Sequence, residues 1–234
     1  MGPMEGPNPE PAIVRRLQAA VRLPLSNWRE VYEAFSPVDI ETGERRPRTP
    51  PPDTDARRAA VLVPVLIEPD GAHLVYTVRK GHLQDHAGQI SFPGGGFEPE
   101  DGTLLATALR EAEEEIDLRP DLVQVIGELE EMYISPSNFR VSPFVGLLPS
   151  RAELVLAPDE VEEIFTVSLD RLMAQETYRT MVWNREGRDY EVPVFAVEQD
   201  SGTRREIWGA TAAMTGALLV RLGWNPAGNT RPKV

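Results

Sequence analysis

The feature that most constrains this chain is a cluster of glycines followed at once by a helix-forming segment rich in glutamate. It reads GQISFPGGGFEPEDGTLLATALREAEEEIDL over residues 88–118. Each residue of a helix is rotated by about 100° from the one before, so Glu111, Glu114 and Glu115 share one stripe beside an apolar face of leucine and alanine. The pattern predicts a helix over residues 103–116 that buries one face and carries carboxylates next to it.

A carboxylate stripe of this kind requires a cation nearby. Like charges one helical turn apart destabilise a helix by about 0.2–0.5 kcal/mol per pair. Oxygen ligands without histidine or cysteine suit Mg²⁺ or Mn²⁺, which bind through a few carboxylates together with substrate phosphates. The glycines let the backbone approach a ligand closely, and we expect the Gly94 carbonyl to add a metal ligand. A solvent-exposed helix face would also tolerate three glutamates, but the glycine entry and the Arg110–Glu111 pair favour a metal site for phosphoryl chemistry.

The charge balance and the absence of cysteine exclude several classes of protein. Lys and Arg number 24 against 37 Asp and Glu, and the formal net charge of −13 argues against nucleic acid or an anionic membrane as a partner. Without cysteine there is no disulfide framework, thiolate zinc site or cysteine nucleophile. The first residues lack the pattern of a signal peptide, and no apolar run is long enough to span a bilayer, so we expect a cytoplasmic protein.

The sequence pattern divides the chain into an arm, a main domain and a tail. The arm, residues 1–57, has a Pro/Gly-rich start, a basic helix and an exposed linker; the main domain covers 58–224 and the tail 225–234. Strand-like and helix-like apolar runs intermix in the main domain, which predicts an α/β or α+β fold with a mixed sheet. We expect the arginines of the basic helix to face an acidic surface of the same chain or of a second subunit rather than RNA, so a homodimer is one compatible assembly.

The segment that contains the glycines and glutamates resembles the signature of the Nudix hydrolases, G-x5-E-x7-R-E-U-x-E-E-x-G-U, where U is aliphatic. Arg110, Glu111, Glu114 and Glu115 match its R-E-U-x-E-E core. Two departures stand out. Gly95 and Asp101 take the first glycine and glutamate positions only with one inserted residue. Asp117 replaces the last glycine, so we expect the turn after the helix to differ, although aspartate tolerates left-handed geometry better than most residues. The resemblance implies a Nudix-type α/β/α sandwich around a mixed β-sheet.

The resemblance also implies roles for the matched residues. Glu111, Glu114 and Glu115 would bind Mg²⁺ or Mn²⁺, with Glu111 either a ligand or the group that orients the attacking water. Arg110 would hold a glutamate in place through a charge-assisted bond, and Asp101 would be an outer support. Catalysis would therefore depend on Glu111, Arg110 and Glu115.

A further acid from a distal loop often assists in this family, as a ligand or general base. Glu160 and Glu163 are the candidates, and spacing alone does not rank them. The polar segment ISPSNFR, residues 134–140, is a candidate lining of the substrate cleft, although turn chemistry explains its Ser-Pro pairs equally well. The tryptophans at 183, 208 and 224 are expected to be core or interface anchors.

The segment before the glycines indicates a substrate. LVYTVRKGHLQDHAGQISFPGG, residues 74–95, resembles the coenzyme A pyrophosphatase signature L-L-T-x-R-[S/A]-x3-R-x3-G-x3-F-P-G-G. The resemblance implies metal-dependent cleavage of the diphosphate of coenzyme A, with Arg79, Phe92 and Gly95 as substrate-binding residues and His82 and His86 as weaker candidates.

Two departures, Lys80 in place of Ser or Ala and Gln84 in place of Arg, leave other substrates open. Hydrolysis of ADP-ribose or NADH is one alternative. A nucleotide-sensing module without turnover is another, although such a module would be expected to lose carboxylates that this chain keeps.

Overall fold

The computed structural model describes residues 10–80, 88–150, 152–199 and 202–226. Its helices are α1 (Ala12–Val21), α2 (Trp28–Ala34), α3 (Leu104–Ile116), α4 (Leu169–Met173) and α5 (Gly209–Arg221). Its strands are β1 (Val38–Asp39), β2 (Arg57–Glu68), β3 (Gly71–Arg79), β4 (Ile90–Ser91), β5 (Gly94–Gly96), β6 (Gln124–Glu128), β7 (Met132–Ile134), β8 (Phe139–Pro149), β9 (Val161–Ser168), β10 (Tyr178–Arg185), β11 (Arg188–Glu198) and β12 (Arg204–Trp208).

The larger sheet is built around β2, whose continuous apolar run is the pattern of a strand buried on both faces. β2 pairs in parallel with β8 along its whole length and antiparallel with β3 and β5. β3 also pairs antiparallel with β4 and β9, and β8 pairs antiparallel with β6 and β7. One parallel pair among antiparallel ones makes this a mixed sheet, which confirms the predicted fold class.

Helices cover both faces of this sheet because side chains of β2 alternate between two apolar clusters. Ala60 and Leu62 pack in one cluster with the apolar face of α3, including Ala112. Val63 and Val65 belong to a second cluster, which contains side chains of α1, α2 and α5. Burying one such aliphatic side chain contributes about 1.5–3 kcal/mol. The result is the α/β/α sandwich that the family resemblance implied.

The smaller sheet is formed by β1, β10, β11 and β12, with β11 paired to the other three strands. Its inner face contributes Tyr178, Phe195 and Ile207 to the second cluster. Trp224 packs against Phe35, Tyr178 and Phe195 and is 8% exposed, as expected of a core anchor.

The segment that follows α2 is not the exposed linker predicted from its proline and charge content. Ser36, Asp39 and Arg48 are buried, and β1 lies within the segment as an edge strand of the smaller sheet. Arg48 donates to the Ser36 hydroxyl at 2.9 Å and to the Phe35 carbonyl at 3.2 Å. These hydrogen bonds let a charged segment pack, since a buried polar group is tolerated when its partners are present.

Among the described residues, no helix is both long and apolar enough to cross a membrane.

Candidate active site

The carboxylates are carried by α3, which begins and ends close to where the sequence predicts. Thr103 caps its N-terminus and accepts a hydrogen bond from the Ala106 N–H at 3.1 Å. Asp117 ends the helix in the left-handed conformation, with φ of 50°, and the Leu118 N–H donates to the Ala112 carbonyl at 3.3 Å. The expectation that this turn would differ was wrong, because aspartate adopts the left-handed geometry that glycine would otherwise supply.

The three glutamates lie together beside β5, and their side chains differ in how deeply they are buried. The Glu115 side chain is 2% exposed, that of Glu111 16% and that of Glu114 58%. Glu113 points to solvent, as the helical wheel predicts. A Cβ atom built on Gly95 would lie 2.4 Å from a carboxylate oxygen of Glu111. A side chain at position 95 would therefore displace the Glu111 carboxylate from this position.

Arg110 connects the acidic groups of the site. Its Nε donates to Asp101 Oδ1 at 2.7 Å and its Nη2 to Asp101 Oδ2 at 3.2 Å. Its Nη1 donates to Glu111 Oε1 at 2.9 Å and to Glu114 Oε2 at 3.0 Å. These are the charge-assisted bonds expected of Arg110, and they hold the pKa of Asp101 well below its usual range.

Asp101 contributes more than the outer support expected from its sequence position. It binds two nitrogens of Arg110 and also accepts from the Thr107 hydroxyl at 2.8 Å. Sequence reasoning did not find Thr107. The available signal was its position three residues before Arg110, which places both side chains on the same face of α3.

Glu115 is the most deeply buried acid of the site, and its partners compensate the burial of its negative charge only in part. Its Oε1 accepts from Arg79 Nη1 at 3.1 Å, and the Gly94 backbone also hydrogen-bonds to its carboxylate. Its Oε2 is buried without a partner among the described residues. Burial raises the pKa of Glu115 to about 7, against the opposing effect of Arg79. Burial also raises the pKa of Glu111, although Arg110 opposes that shift.

The donor set fits a hard divalent cation. Three carboxylates share one stripe, and the unpaired Glu115 Oε2 is a buried oxygen that lacks the partner such atoms ordinarily have. In the described ranges, no three acidic or histidine side chains already surround a single point where an ion would sit. Arg79 and Arg110 instead contact the carboxylate oxygens, so a bound ion would compete with these guanidinium groups.

The two candidate distal acids differ in their surroundings. Glu163 accepts from Gln199 at 3.0 Å and forms an ion pair with Arg205, so its carboxylate is engaged by the smaller sheet. Glu160 is exposed just before β9, and its charge raises the pKa of both Glu111 and Glu115. Glu160 is therefore the better placed of the two for a role beside the carboxylates.

The predicted substrate-binding residues separate into surface and core positions. Arg79 lies at the site, 27% exposed and paired with Glu115. Phe92 is 2% exposed and stacks on Tyr76 with ring centroids 4.9 Å apart. Its assignment as a substrate contact is corrected, because this ring is buried in the core and supports the strands instead. His82, His86 and Gln84 lie outside the described residues.

Comparison with known proteins places these features in a family. Residues 56–185 match the NUDIX domain family. The uncharacterized Nudix hydrolase NudL of Photorhabdus laumondii is 39% identical over 168 residues, which cover 70% of this chain and 86% of that protein. The uncharacterized Nudix hydrolase NudL of Yersinia pestis is 38% identical over 158 residues, 68% of this chain and 76% of that protein.

Similar solved structures include a NUDIX hydrolase from Alicyclobacillus acidocaldarius, with a TM-score of 0.43 and 19% identity over 52% of this chain and 82% of that one. A MutT/nudix family protein from Enterococcus faecalis gives a TM-score of 0.46 and 13% identity over 75% of this chain and 63% of that one.

Proposed function

Because this chain belongs to the Nudix hydrolase family, we propose that it hydrolyses the diphosphate of coenzyme A or a coenzyme A derivative, giving 3′,5′-ADP and 4′-phosphopantetheine or its acyl form. Family membership itself supplies the broader chemistry, which is hydrolysis of a nucleoside diphosphate derivative with divalent metal ions. The choice of coenzyme A, of Mg²⁺ or Mn²⁺ and of the residue roles below belongs to the proposal.

The observation that carries the choice of substrate is the register of residues 74–95 with the coenzyme A pyrophosphatase signature. Two of the matched side chains, Thr77 and Phe92, are buried, so their match supports a shared backbone rather than a substrate contact. Arg79 is the matched side chain that contacts a carboxylate of the candidate active site. A guanidinium group there has the geometry and charge to bind a phosphate of the substrate.

The proposed chemistry divides between the carboxylates and the two arginines. Glu111, Glu114 and Glu115 would hold the ion or ions, which when bound neutralise diphosphate charge and lower the pKa of a bound water. Arg110 keeps Glu111 and Glu114 aligned while Asp101 fixes its guanidinium plane. Glu160 is proposed as the base that accepts the proton of the attacking water.

Lys80 and Gln84 are the reason to test other substrates in parallel. The Lys80 ammonium donates to the Pro158 carbonyl, and the Lys80 backbone N–H donates to the Glu160 carbonyl. These two hydrogen bonds hold in place the turn that carries Glu160, the proposed base. Ser or Ala, which the signature has at this position, could not make the side-chain contact to Pro158. The non-catalytic alternative is disfavoured by the presence of all three glutamates of the box.

The test is to incubate the purified protein separately with coenzyme A, ADP-ribose and NADH. Each reaction is run with Mg²⁺, with Mn²⁺ and with chelator, and the products are resolved by chromatography. We expect metal-dependent release of 3′,5′-ADP and 4′-phosphopantetheine from coenzyme A in preference to turnover of the other two. Faster turnover of ADP-ribose or NADH would reject coenzyme A as the substrate.

Paired variants on α3 test the carboxylate assignment in the same assay. Glu114→Gln removes one negative charge from the stripe and should lower kcat by about 100-fold or more. Glu113→Gln makes the same change on the solvent-facing side of the helix and should leave turnover within about twofold of wild type. Equal activity of the two variants would remove Glu114 from the proposed metal site.

A further inference from the structure

A second cleft, outside the candidate active site, lies beside the hairpin that joins β10 to β11. Its volume is about 520 Å³. The lining side chains come from the segment after β1, from the turn between β7 and β8, and from the hairpin: Arg46, Ser135, Pro136, Arg185, Glu186, Arg188 and Tyr190. Three of these seven residues are arginines, in a chain whose net charge is −13.

The hairpin places two of the arginines directly opposite each other in the strand pairing. Glu186 and Gly187 form its two-residue turn with φ of 54° and 80°, the geometry of a type I′ turn. Arg185 and Arg188 are consequently direct cross-strand partners. The Cβ atoms of such partners lie about 4.5–5.5 Å apart, and like charges in this position destabilise the sheet. An anion bound between the two guanidinium groups would relieve this repulsion.

The third arginine is brought to the same place by β1. Asp39 of β1 pairs with Tyr190 of β11, and the Arg46 N–H donates to the Pro37 carbonyl at 3.3 Å. Burial, and then repulsion from Arg46, lowers the pKa of Arg48 to about 10. Positive charge is therefore concentrated along this segment as well as on the hairpin.

Acidic groups near the cleft offset this charge only in part. Arg188 Nη1 lies 3.6 Å from Asp39 Oδ2, and Arg185 Nε lies 4.0 Å from Glu186 Oε1. The other Asp39 oxygen, Oδ1, already accepts from the backbone N–H groups of residues 41 and 42. Within the described part of the chain, Arg185 and Arg188 thus each lie near one carboxylate, and the Asp39 carboxylate is shared with backbone donors.

An aromatic surface continues from the arginines along the same face of the sheet. Tyr190 pairs directly with Trp183, and both lie two residues along their strands from the arginine pair. Since side chains alternate between faces, all four share one face. Trp183 in turn contacts Trp208 edge to face, with ring centroids 4.8 Å apart. A charged group bound by the arginines would therefore have flat aromatic side chains beside it.

We propose that this cleft binds the phosphate monoester of a nucleotide, with Arg46, Arg185 and Arg188 around the phosphate and Tyr190 beside the sugar or base. Guanidinium groups bind phosphate oxygens through paired, charge-assisted hydrogen bonds. The ester belongs either to the substrate, as the 3′-phosphate of coenzyme A, or to a separate nucleotide. The first source rests on the proposed function, whereas the binding chemistry does not.

The cleft is linked to the candidate active site through β8. This strand begins at Phe139, directly after the turn that contributes Ser135 and Pro136 to the cleft. A Cβ atom on Gly96 would lie 3.9 Å from the Phe139 ring, and the Gly96 carbonyl accepts from Arg110 at 3.3 Å. Neighbouring residues thus connect the cleft with Arg110 of the candidate active site.

The binding test compares Arg185→Gln/Arg188→Gln with a control of equal charge change, Arg119→Gln/Arg171→Gln. The control arginines form exposed ion pairs with Asp121 and Glu176. Binding of inorganic phosphate and of 3′,5′-ADP is measured by calorimetry in chelator. We expect affinity for both probes to fall by about tenfold or more in the cleft variant and to stay at the wild-type level in the control. Absent binding to wild type, or equal affinity in all three proteins, would overturn the proposal.

A kinetic comparison then distinguishes the two sources of the phosphate. If the ester is the 3′-phosphate of the substrate, the cleft variant should raise KM for coenzyme A by about tenfold and leave KM for 3′-dephospho-coenzyme A unchanged. If the ester belongs to a separate nucleotide, 3′,5′-ADP binding is lost while both KM values stay the same. Should no variant or wild-type protein hydrolyse coenzyme A, the proposed function fails, and calorimetry still decides the cleft.

Discussion

At the scale of single residues, the site depends on how two arginines share four carboxylates. Arg110 contacts Asp101, Glu111 and Glu114, whereas Arg79 contacts the deeply buried Glu115. Arg110 is fixed from several directions, so its partners are held on one side of the helix. Among the described residues Glu115 has a single arginine partner and one unpaired oxygen, and it is the acid whose charge is costliest to bury.

The pH dependence of stability should therefore carry a contribution from Glu115 when metal is absent. Burial raises the pKa of Glu115 from its ordinary value of 4.5 to about 7. Its folded form thus binds a proton more tightly than its unfolded form. The associated stability is present below about pH 4.5 and is lost as the pH rises through about 7.

The isosteric variant Glu115→Gln isolates this contribution. Its stability relative to wild type should increase between pH 5 and pH 8, by on the order of 1–3 kcal/mol, because only wild type must bury the charge. The free energy of unfolding is measured with urea at both pH values in chelator. A constant difference between the two proteins would show that burial does not perturb this carboxyl.

At the scale of secondary structure elements, the contact between β5 and α3 positions the carboxylates. The glycines of β5 pair with Ala59, Ala60 and Val61 of β2, so the strand is held in the sheet while its other side meets the helix. A side chain at Gly94 and a side chain at Gly95 would collide with different groups. A Cβ atom on Gly95 would strike the end of the Glu111 side chain, whereas one on Gly94 would lie 2.4 Å from the backbone oxygen of Ala60.

Alanine substitutions in β5 should consequently separate activity from stability. Gly95→Ala displaces the Glu111 carboxylate, and we expect kcat to fall by about 10-fold or more with a loss of less than about 1 kcal/mol in stability. Gly94→Ala should destabilise the fold by several kcal/mol, on the order of other overpacked sites, because backbone cannot move aside as a side chain can. Steady-state kinetics and urea unfolding are measured for both variants. A larger loss of stability in Gly95→Ala than in Gly94→Ala would contradict the prediction.

At the scale of the whole molecule, the N-terminal helices belong to the same apolar cluster as the sheet. Leu17, Tyr32 and Phe35 are fully buried. Gly216 of α5 is required where Phe35 crosses, since a Cβ atom there would lie 2.2 Å from the phenylalanine ring. The Arg221–Glu130 ion pair, at 2.7 Å, joins the end of α5 to the segment between β6 and β7.

Two leucines near the N-terminus test this integration. Leu17→Ala should cost about 2–5 kcal/mol and leave unfolding as one cooperative transition, because the helix shares a core with the sheet. Leu23, which is 73% exposed, provides the control, and Leu23→Ala should change stability by less than about 0.5 kcal/mol. Urea unfolding followed by both fluorescence and circular dichroism makes the measurement. An early separate transition in Leu17→Ala would indicate an arm that folds independently.

Features that depend on residues close together in the chain can be predicted from the amino-acid sequence. The position of α3, its carboxylate stripe and the solvent-facing Glu113 follow from helical periodicity, which is a property of three or four consecutive turns. The mixed α/β class follows from the type of each apolar run. The preference for a divalent cation follows from the absence of cysteine and the grouping of glutamates. The helix and the fold class are confirmed because they depend on the local order of apolar and polar residues, whereas the cation preference depends on ligand chemistry.

Contacts between groups that are far apart in the chain become visible in the folded protein alone. It paired Arg79 with Glu115 across 36 positions and Glu163 with Arg205, and it brought Glu160 near enough to Glu111 and Glu115 for its charge to raise the pKa of both. It also placed Phe92 in the core and packed the segment after α2 against the smaller sheet. The physical reason is that such contacts depend on the order of the strands in the sheet and on how the loops close. The sequence around an acidic or aromatic residue has the same pattern whether its side chain faces the core, a partner or solvent.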